Sequence, residues 1–287
     1  MRLCLRKKRL DESKITISIC CLTYNHECYI ERAIKGFLNQ QTLFPYEIVI
    51  HDDASSDGTT RIIKRYQKQF PKLIKPVFQQ ENLFSQGKSL YELYTKYVFP
   101  SLKGSYIAVC EGDDYWTDPL KLQKQVAFLE QNHDFSMCFH NIGILKNGTT
   151  DNEAHNHNTG YMLPGATEFT LLDLIRGNFI PNCSVVYRKM FYSYPDIFND
   201  SIFPDWPLHI LHASKGRIRY LDEIMAVHHF HPKGIWNGLG PAEQRKAECG
   251  MLRKLFSLLD RQYHYAIRDT LEIREAEFNR LTRINSL

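Results

Sequence analysis

The sequence predicts an α/β protein built on a doubly wound, mostly parallel sheet flanked by helices, with a less regular second half and a helical C-terminal tail. Two observations carry this. Strand and helix signals alternate through the first 130 residues, and the strands read as near-continuous apolar runs, as strands buried on both faces do. A third adds a site: polar clusters follow three of those strands, and ligands in such sheets bind beyond the carboxyl ends of the strands.

The elements follow in order. Residues 15–22 are β-rich and apolar, and read as the first strand. Ile30, Ile34, Phe37 and Leu38 then recur at helical spacing. Residues 46–51 read as the second strand. Asp57 is placed to cap the next helix, which turns Ile62, Ile63, Tyr66 and Phe70 inward. Residues 75–79 form a weaker strand in which Pro76 suggests an edge or an early position. A helix over about 88–97 precedes a strand at 106–110. Asp118 as N-cap and Pro119 at the first helical position open a helix with Leu122, Val126 and Leu129 on its buried stripe. Residues 146–160 are polar and read as a loop. Strand signals return at 183–187 and 223–228, and amphipathic helices end the chain, with Met251, Leu255, Leu258 and Leu259 on one stripe.

Composition narrows the class. The 287 residues are 43% apolar and 24% charged, the balance of an ordinary globular protein with a core. A net charge of +4 does not argue for a nucleic-acid partner. Arg2, Arg6, Lys7, Lys8 and Arg9 make a short basic run, read first as a solvated terminus and second as an attraction to an anionic membrane. No apolar stretch of about 18 residues predicts a membrane span, and no secretory leader is evident, so the expected compartment is the cytoplasm, with peripheral contact at the inner face of the plasma membrane as the variant. Eight cysteines without CxxC spacing read as buried free thiols. The glycine-rich phosphate loops of dehydrogenases and P-loop enzymes are absent.

Chemistry concentrates in three clusters. Glu111-Gly112-Asp113-Asp114-Tyr115-Trp116 puts three carboxylates within four residues directly after a strand. Like charges crowd at a cost unless something positive sits among them, and Mg²⁺ or Mn²⁺ binds one or two carboxylates together with phosphates. A solvated turn is the plainer alternative. His51-Asp52-Asp53 also follows a strand, where a carboxylate can accept from a base N–H or a ribose hydroxyl. Thr23-Tyr24-Asn25 ends the first strand and gains meaning only beside the other two.

In order and spacing these clusters resemble the family-2 glycosyltransferases of the GT-A fold, with weaker similarity at residues 182–188, 203–208 and 231–236. The resemblance implies a GT-A domain over 14–238, divided into a nucleotide-sugar-binding half (14–130) and an acceptor-side half (131–238), with a helical extension over 239–287. It implies that Thr23, Tyr24 and Asp53 contact the nucleoside, usually uridine, with Asn25, Asp52 and Asp113 beside them. Asp113 and Asp114 correspond to the metal-and-diphosphate motif, with Asp114 the more direct ligand. His231 falls in a loop that closes over the diphosphate and joins the metal ligands. Asp205 falls where the family has its general base, although a helix N-cap is its plainer role. Glu111 stands where many relatives have Asp, and the usual Glu-Asp pair before the base is missing.

The implied activity is metal-dependent, inverting transfer from a nucleotide-sugar, a UDP-sugar by preference, to a hydroxyl of a glycan or lipid-linked acceptor. Two competing readings are a sugar-nucleotide nucleotidyltransferase, which lacks its basic glycine-rich loop here, and a non-catalytic nucleotide-sugar-binding protein. The C-terminal helices are open to membrane docking, to pairing as a homo-oligomer, or to packing on the sheet.

Overall fold

A computed structural model describes residues 14–151, 162, 165–231, 234–236 and 238–284. The chain runs β1 (Ile17–Thr23), α1 (Ile30–Leu38), β2 (Tyr46–Asp52), α2 (Thr59–Gln69), β3 (Ile74–Phe78), α3 (Leu90–Glu92, continuing as a π-helical turn Leu93–Val98), β4 (Tyr106–Val109), β5 (Tyr115–Trp116) and α4 (Lys121–Gln131). It continues through β6 (Phe135–Lys146), β7 (Thr149–Asp151), β8 (Glu168–Phe169), α5 (Leu171–Arg176), β9 (Val186–Arg188), α6 (Asp205–Ala213), β10 (Arg217–Phe230), α7 (Pro241–Leu258) and α8 (His264–Ile284).

One sheet has the order β3-β2-β1-β4-β9-β6-β10-β5, with β7 added to β6 and β8 to β10. β3, β2, β1 and β4 are parallel, and β9 turns the sheet antiparallel between β4 and β6. Every residue of β1 is buried. Its side chains alternate between two cores, as the strand period requires. Ile17, Ile19 and Cys21 pack with Ile30, Ile34 and Phe37 of α1, Ile62 and Ile63 of α2, and Leu122 and Val126 of α4. Cys20 and Leu22 face the other core, which takes in Tyr94, Leu174 of α5, Leu208 of α6, Leu252 and Leu255 of α7, and Ile267 of α8. The two C-terminal helices therefore pack into the body of the fold.

Several expectations are corrected. The second half contains the two longest strands: β6, unassigned from sequence, and β10, which begins at Arg217 rather than 223. His140, Asn141 and Gly143 break the apolar run of β6, yet it is an interior strand. Its polar side chains bond mainly to adjacent residues: His140 Nδ1 lies 2.7 Å from Asn141 O, and Asn141 Oδ1 accepts from Ile142 N at 2.9 Å, while the buried His140 Nε2 has no hydrogen-bond partner among the described residues. Part of the expected loop, residues 149–151, is β7, and residues 152–161 lie outside the described residues. Helix α4 starts at Lys121 with Leu120 as N-cap. Asp118 closes the preceding turn instead, accepting from Leu120 N at 2.7 Å and pairing with Lys124. α2 begins at Thr59 with Gly58 as N-cap, one residue beyond the expected cap, and Asp57 still accepts from Thr59 N at 2.9 Å. α3 begins at Leu90 behind a Ser89–Glu92 capping box. Among the described residues six cysteines are buried and free and Cys28 is exposed; Cys4 lies outside them. No helix among the described residues is long and apolar enough to cross a membrane.

Gly104 shows how tightly the central strands are seated. A Cβ there would lie 2.5 Å from the Ser18 backbone nitrogen, against backbone that cannot yield. Gly104→Ala is expected to cost roughly 1–3 kcal/mol, read as a lowered midpoint in urea denaturation. A wild-type midpoint would contradict this account of the seating.

Candidate active site

Three turns leave the sheet at neighbouring strand ends. β1 pairs Thr23 with Asp52 of β2, and Asp53 N donates to Thr23 O at 3.1 Å. On the other side of β1, Gly112 N donates to Leu22 O at 2.9 Å. Gly112 leaves no room for a side chain: its Cβ would fall 2.8 Å from Thr23 Oγ1 and 2.9 Å from His26 Nδ1. The three polar clusters of the sequence thus meet along one edge of the sheet.

At the β1–β2 end, Thr23 is buried and its Oγ1 has no hydrogen-bond partner among the described residues, while Tyr24 is exposed. Asn25 takes a left-handed backbone, with φ of 52°, and its Oδ1 accepts from Ser56 N at 2.8 Å. Asp52 builds the next turn: Oδ1 accepts from Ser55 N at 3.1 Å and Oδ2 from Thr60 Oγ1 at 2.5 Å. Asp53 Oδ1 and Oδ2 accept from Leu83 N and Phe84 N at 2.9 and 3.0 Å, latching the loop after β3 onto the strand end. Ala54 follows with φ of 58°, a conformation that costs a non-glycine residue and recurs at functional turns.

At the β4 end the acids meet histidines. β5 pairs antiparallel with β10, Tyr115 with Val227 and Trp116 with Ala226. One residue further along each strand, this register sets His228 against Asp114. His228 Nδ1 donates to Asp114 Oδ1 at 3.0 Å, and His229 N donates to the same oxygen at 2.8 Å. Asp113 Oδ2 lies 3.0 Å from His231 Nε2 and 3.8 Å from His26 Nε2. Tyr29 stacks on His231 with ring centroids 5.2 Å apart. Glu111 faces inward, where Tyr94 OH donates to its Oε1 at 2.8 Å and Asn182 Nδ2 donates to the same oxygen.

Electrostatics separates these carboxyls. Burial, then the charges of Asp114 and Asp113, pushes Glu111 up to about 8, so it is largely a neutral acid at pH 7. Asp113 stays below the usual carboxylate range: burial works against it, but the His231 hydrogen bond and the nearby His26 outweigh that. The Asp114 carboxylate, against the cost of burial, lifts His228 to about 9.

Asp205 is the first residue of α6, half-buried, with Pro204 as the N-cap. Burial raises its pKa, opposed by backbone amides at the helix start and by a hydrogen bond from Asn178. Nδ2 of Asn178 donates to Asp205 Oδ2 at 2.7 Å.

The sequence named Asp113, Asp114, His231, Asp53, Thr23 and Asp205, and gave His228 no role. It missed His26, Tyr94, Asn178 and Asn182 as parts of the site. For Tyr94 and Asn178 no local signal existed; their relevance comes only from contacts 17 and 27 residues away.

The chain belongs to glycosyl transferase family 2, which matches residues 18–194. It is 38% identical over 259 residues to the uncharacterised protein Rv1520 of Mycobacterium tuberculosis, covering 89% of this chain and 71% of that one. It is 30% identical over 251 residues to the uncharacterised glycosyltransferase alr2836 of Nostoc, covering 82% and 72%. Among solved structures it is similar to S. aureus TarS 1–349 in complex with UDP-GlcNAc, with a TM-score of 0.63, 20% identity, and coverage of 90% of this chain and 72% of that chain. It is also similar to the mannosyltransferase PcManGT from Pyrobaculum calidifontis in complex with GDP-Man and Mn²⁺, with a TM-score of 0.56, 13% identity, and coverage of 92% and 74%. These likenesses establish the GT-A fold. The protein is a glycosyltransferase.

The raised His228 has a testable consequence. A histidine whose folded pKa is raised from 6.5 to about 9 contributes stability that is fully present below pH 6.5 and lost as pH rises through about 9. In the metal-free protein, the stability gap between wild type and Asp114→Asn should therefore narrow from pH 6 to pH 9.5 in urea denaturation. A gap that stays constant would mean that His228 does not titrate against Asp114.

Proposed function

We propose that the chain is a metal-dependent, inverting glycosyltransferase that takes a UDP-sugar as donor and uses Asp205 as general base. The observation that carries this is a pair of unlike carboxyls that both interact with the charge of His228: a low-pKa Asp113 beside imidazoles after β4, and a half-buried Asp205 at the start of α6 whose pKa is raised.

Among the described residues no three His, Cys, Asp or Glu side chains form a ready-made metal cage. The Asp113 carboxylate and the His231 imidazole nevertheless fit a divalent ion shared with a diphosphate, a common way for Mg²⁺ or Mn²⁺ to be bound. The two atoms already sit 3.0 Å apart, and the buried His231 Nδ1 has no partner among the described residues. Asp114 fits that role less well, because its Oδ1 accepts both from His228 and from the His229 backbone. Asp113 and His231 would thus hold Mg²⁺ or Mn²⁺, which when bound stabilises the charge that builds on the departing diphosphate.

The protein's own groups supply the rest. His228, cationic at pH 7, adds a fixed positive charge on the diphosphate side while Asp114 holds it in place. Thr23 Oγ1, exposed Tyr24 and the Asp53 turn face the nucleoside; Asn25 and Asp52 act through the turns they build. The TarS structure holds UDP-GlcNAc, which supports uridine as the nucleoside. Asp205 takes the proton of the acceptor hydroxyl as that oxygen attacks the sugar carbon opposite the leaving group, giving inversion in one displacement. The acceptor is a glycan or lipid-linked glycan.

The test is donor consumption by the full chain with Mn²⁺. Asp205→Asn should lose about 10²–10⁴-fold in kcat, the usual worth of a general base, with donor affinity kept. Turnover at the wild-type rate would remove Asp205 from the mechanism.

A further inference from the structure

We propose that Asn178 is a positioning residue for the reaction: its side-chain amide fixes the plane of the Asp205 carboxylate. This rests on the reading of Asp205 as the general base.

Asn178 lies in the loop that follows α5, beyond the Gly177 C-cap. Its Nδ2 donates to Asp205 Oδ2 at 2.7 Å, and its Oδ1 accepts from Ile180 N at 3.2 Å. The second bond decides which way the amide faces, because only the oxygen can accept from an N–H. The NH₂ group is therefore committed to the carboxylate.

The loop is held firmly without that bond. Phe179 and Ile180 are buried in the core. Ile180 O lies 3.2 Å from His209 Nε2, one helical turn beyond Asp205 on α6. His209 Nδ1 is in turn 2.6 Å from Tyr187 OH on β9. Burial drops His209 to about 3, so it is neutral and donates through Nε2 to Ile180 O. A loop already tied to α6 this way does not need Asn178 as a staple. Its amide is left free to act on Asp205.

The residue type suits the task. A lysine or arginine at this place would orient the carboxylate but suppress its basicity by a full opposite charge. A neutral amide orients it and leaves it able to take a proton. The other groups facing Asp205 are the backbone amides of Asp205 and Trp206 at the start of α6, His228 of β10 and the Tyr187 hydroxyl of β9. Of these, His228 is already bonded to Asp114 and Tyr187 to His209. Asn178 is the neutral side chain that reaches the carboxylate directly. The same loop sends Asn182 to Glu111, so one segment orients a carboxyl on each side of the site.

The test needs no acceptor. The full chain, labelled with ¹³Cγ-aspartate, is titrated by NMR, and the Asp205 resonance is assigned by its loss in Asp205→Asn. Removing a hydrogen bond that favours the charged form raises the midpoint, so Asn178→Ala should shift it upward by about one pH unit. The isosteric Asn178→Asp keeps the acceptor for Ile180 N but sets a second carboxylate beside Asp205, and should shift it further. Thermal midpoints near wild type confirm folding, and where the alanine variant fails to fold, the isosteric one decides. An unmoved Asp205 midpoint in a folded variant overturns the inference, whether or not Asp205 is the base. Wild-type turnover in Asp205→Asn would instead overturn the base assignment alone.

Discussion

The site depends on the parallel pairing of β1 with both β2 and β4. Parallel neighbours end on the same side of a sheet, so the polar turns that follow them must share one edge. β1 is the innermost of the three and wholly buried. Its last residues accept the hydrogen bonds, from Asp53 N and Gly112 N, that seat both neighbouring turns. Because Gly112 lacks a side chain, the acidic turn comes close enough to touch Thr23 and His26.

Bringing acids together creates a charge problem, and the fold meets it in two ways. Glu111 is pushed towards neutrality by burial and its neighbours, and spends its hydrogen bonds on Tyr94 and Asn182. Asp113 and Asp114 stay near histidines instead. His26 comes from the turn after β1, His231 follows the end of β10, and His228 arrives on β10, whose pairing with β6 shifts register between Leu221 and Ile224 and again between Ile224 and Ala226. The short antiparallel contact with β5 then locks the phase that puts His228 on Asp114. A strand that is irregular along its middle is thus in register where the chemistry sits.

This division explains what the sequence made legible. The parallel half was readable because its strands are uninterrupted apolar runs and its helices carry plain stripes such as Ile30, Ile34 and Phe37. The motif acids were readable because three carboxylates in four residues are hard to explain otherwise. β6 escaped because His140, Asn141 and Gly143 mimic a loop, and the strands that pair with it, β9 and β10, come from distant parts of the chain. The separate fates of Glu111, Asp113 and Asp114 escaped for the same reason: each is set by partners such as Tyr94, His231 and His228 from distant segments. Sequence reasoning favoured Asp114 over Asp113 toward metal, while the hydrogen bonds on Asp114 favour Asp113.

The central claim is that Asp113 and His231 form half of a metal site whose other half is a nucleoside diphosphate. Thermal shift of the full chain with UDP, GDP and ADP, each with and without Mn²⁺, tests it most directly, with Asp113→Asn as the comparison. The account predicts stabilisation by UDP that requires Mn²⁺ and disappears in Asp113→Asn. Equal stabilisation by UDP without the metal, or the full metal-dependent shift in Asp113→Asn, would contradict it.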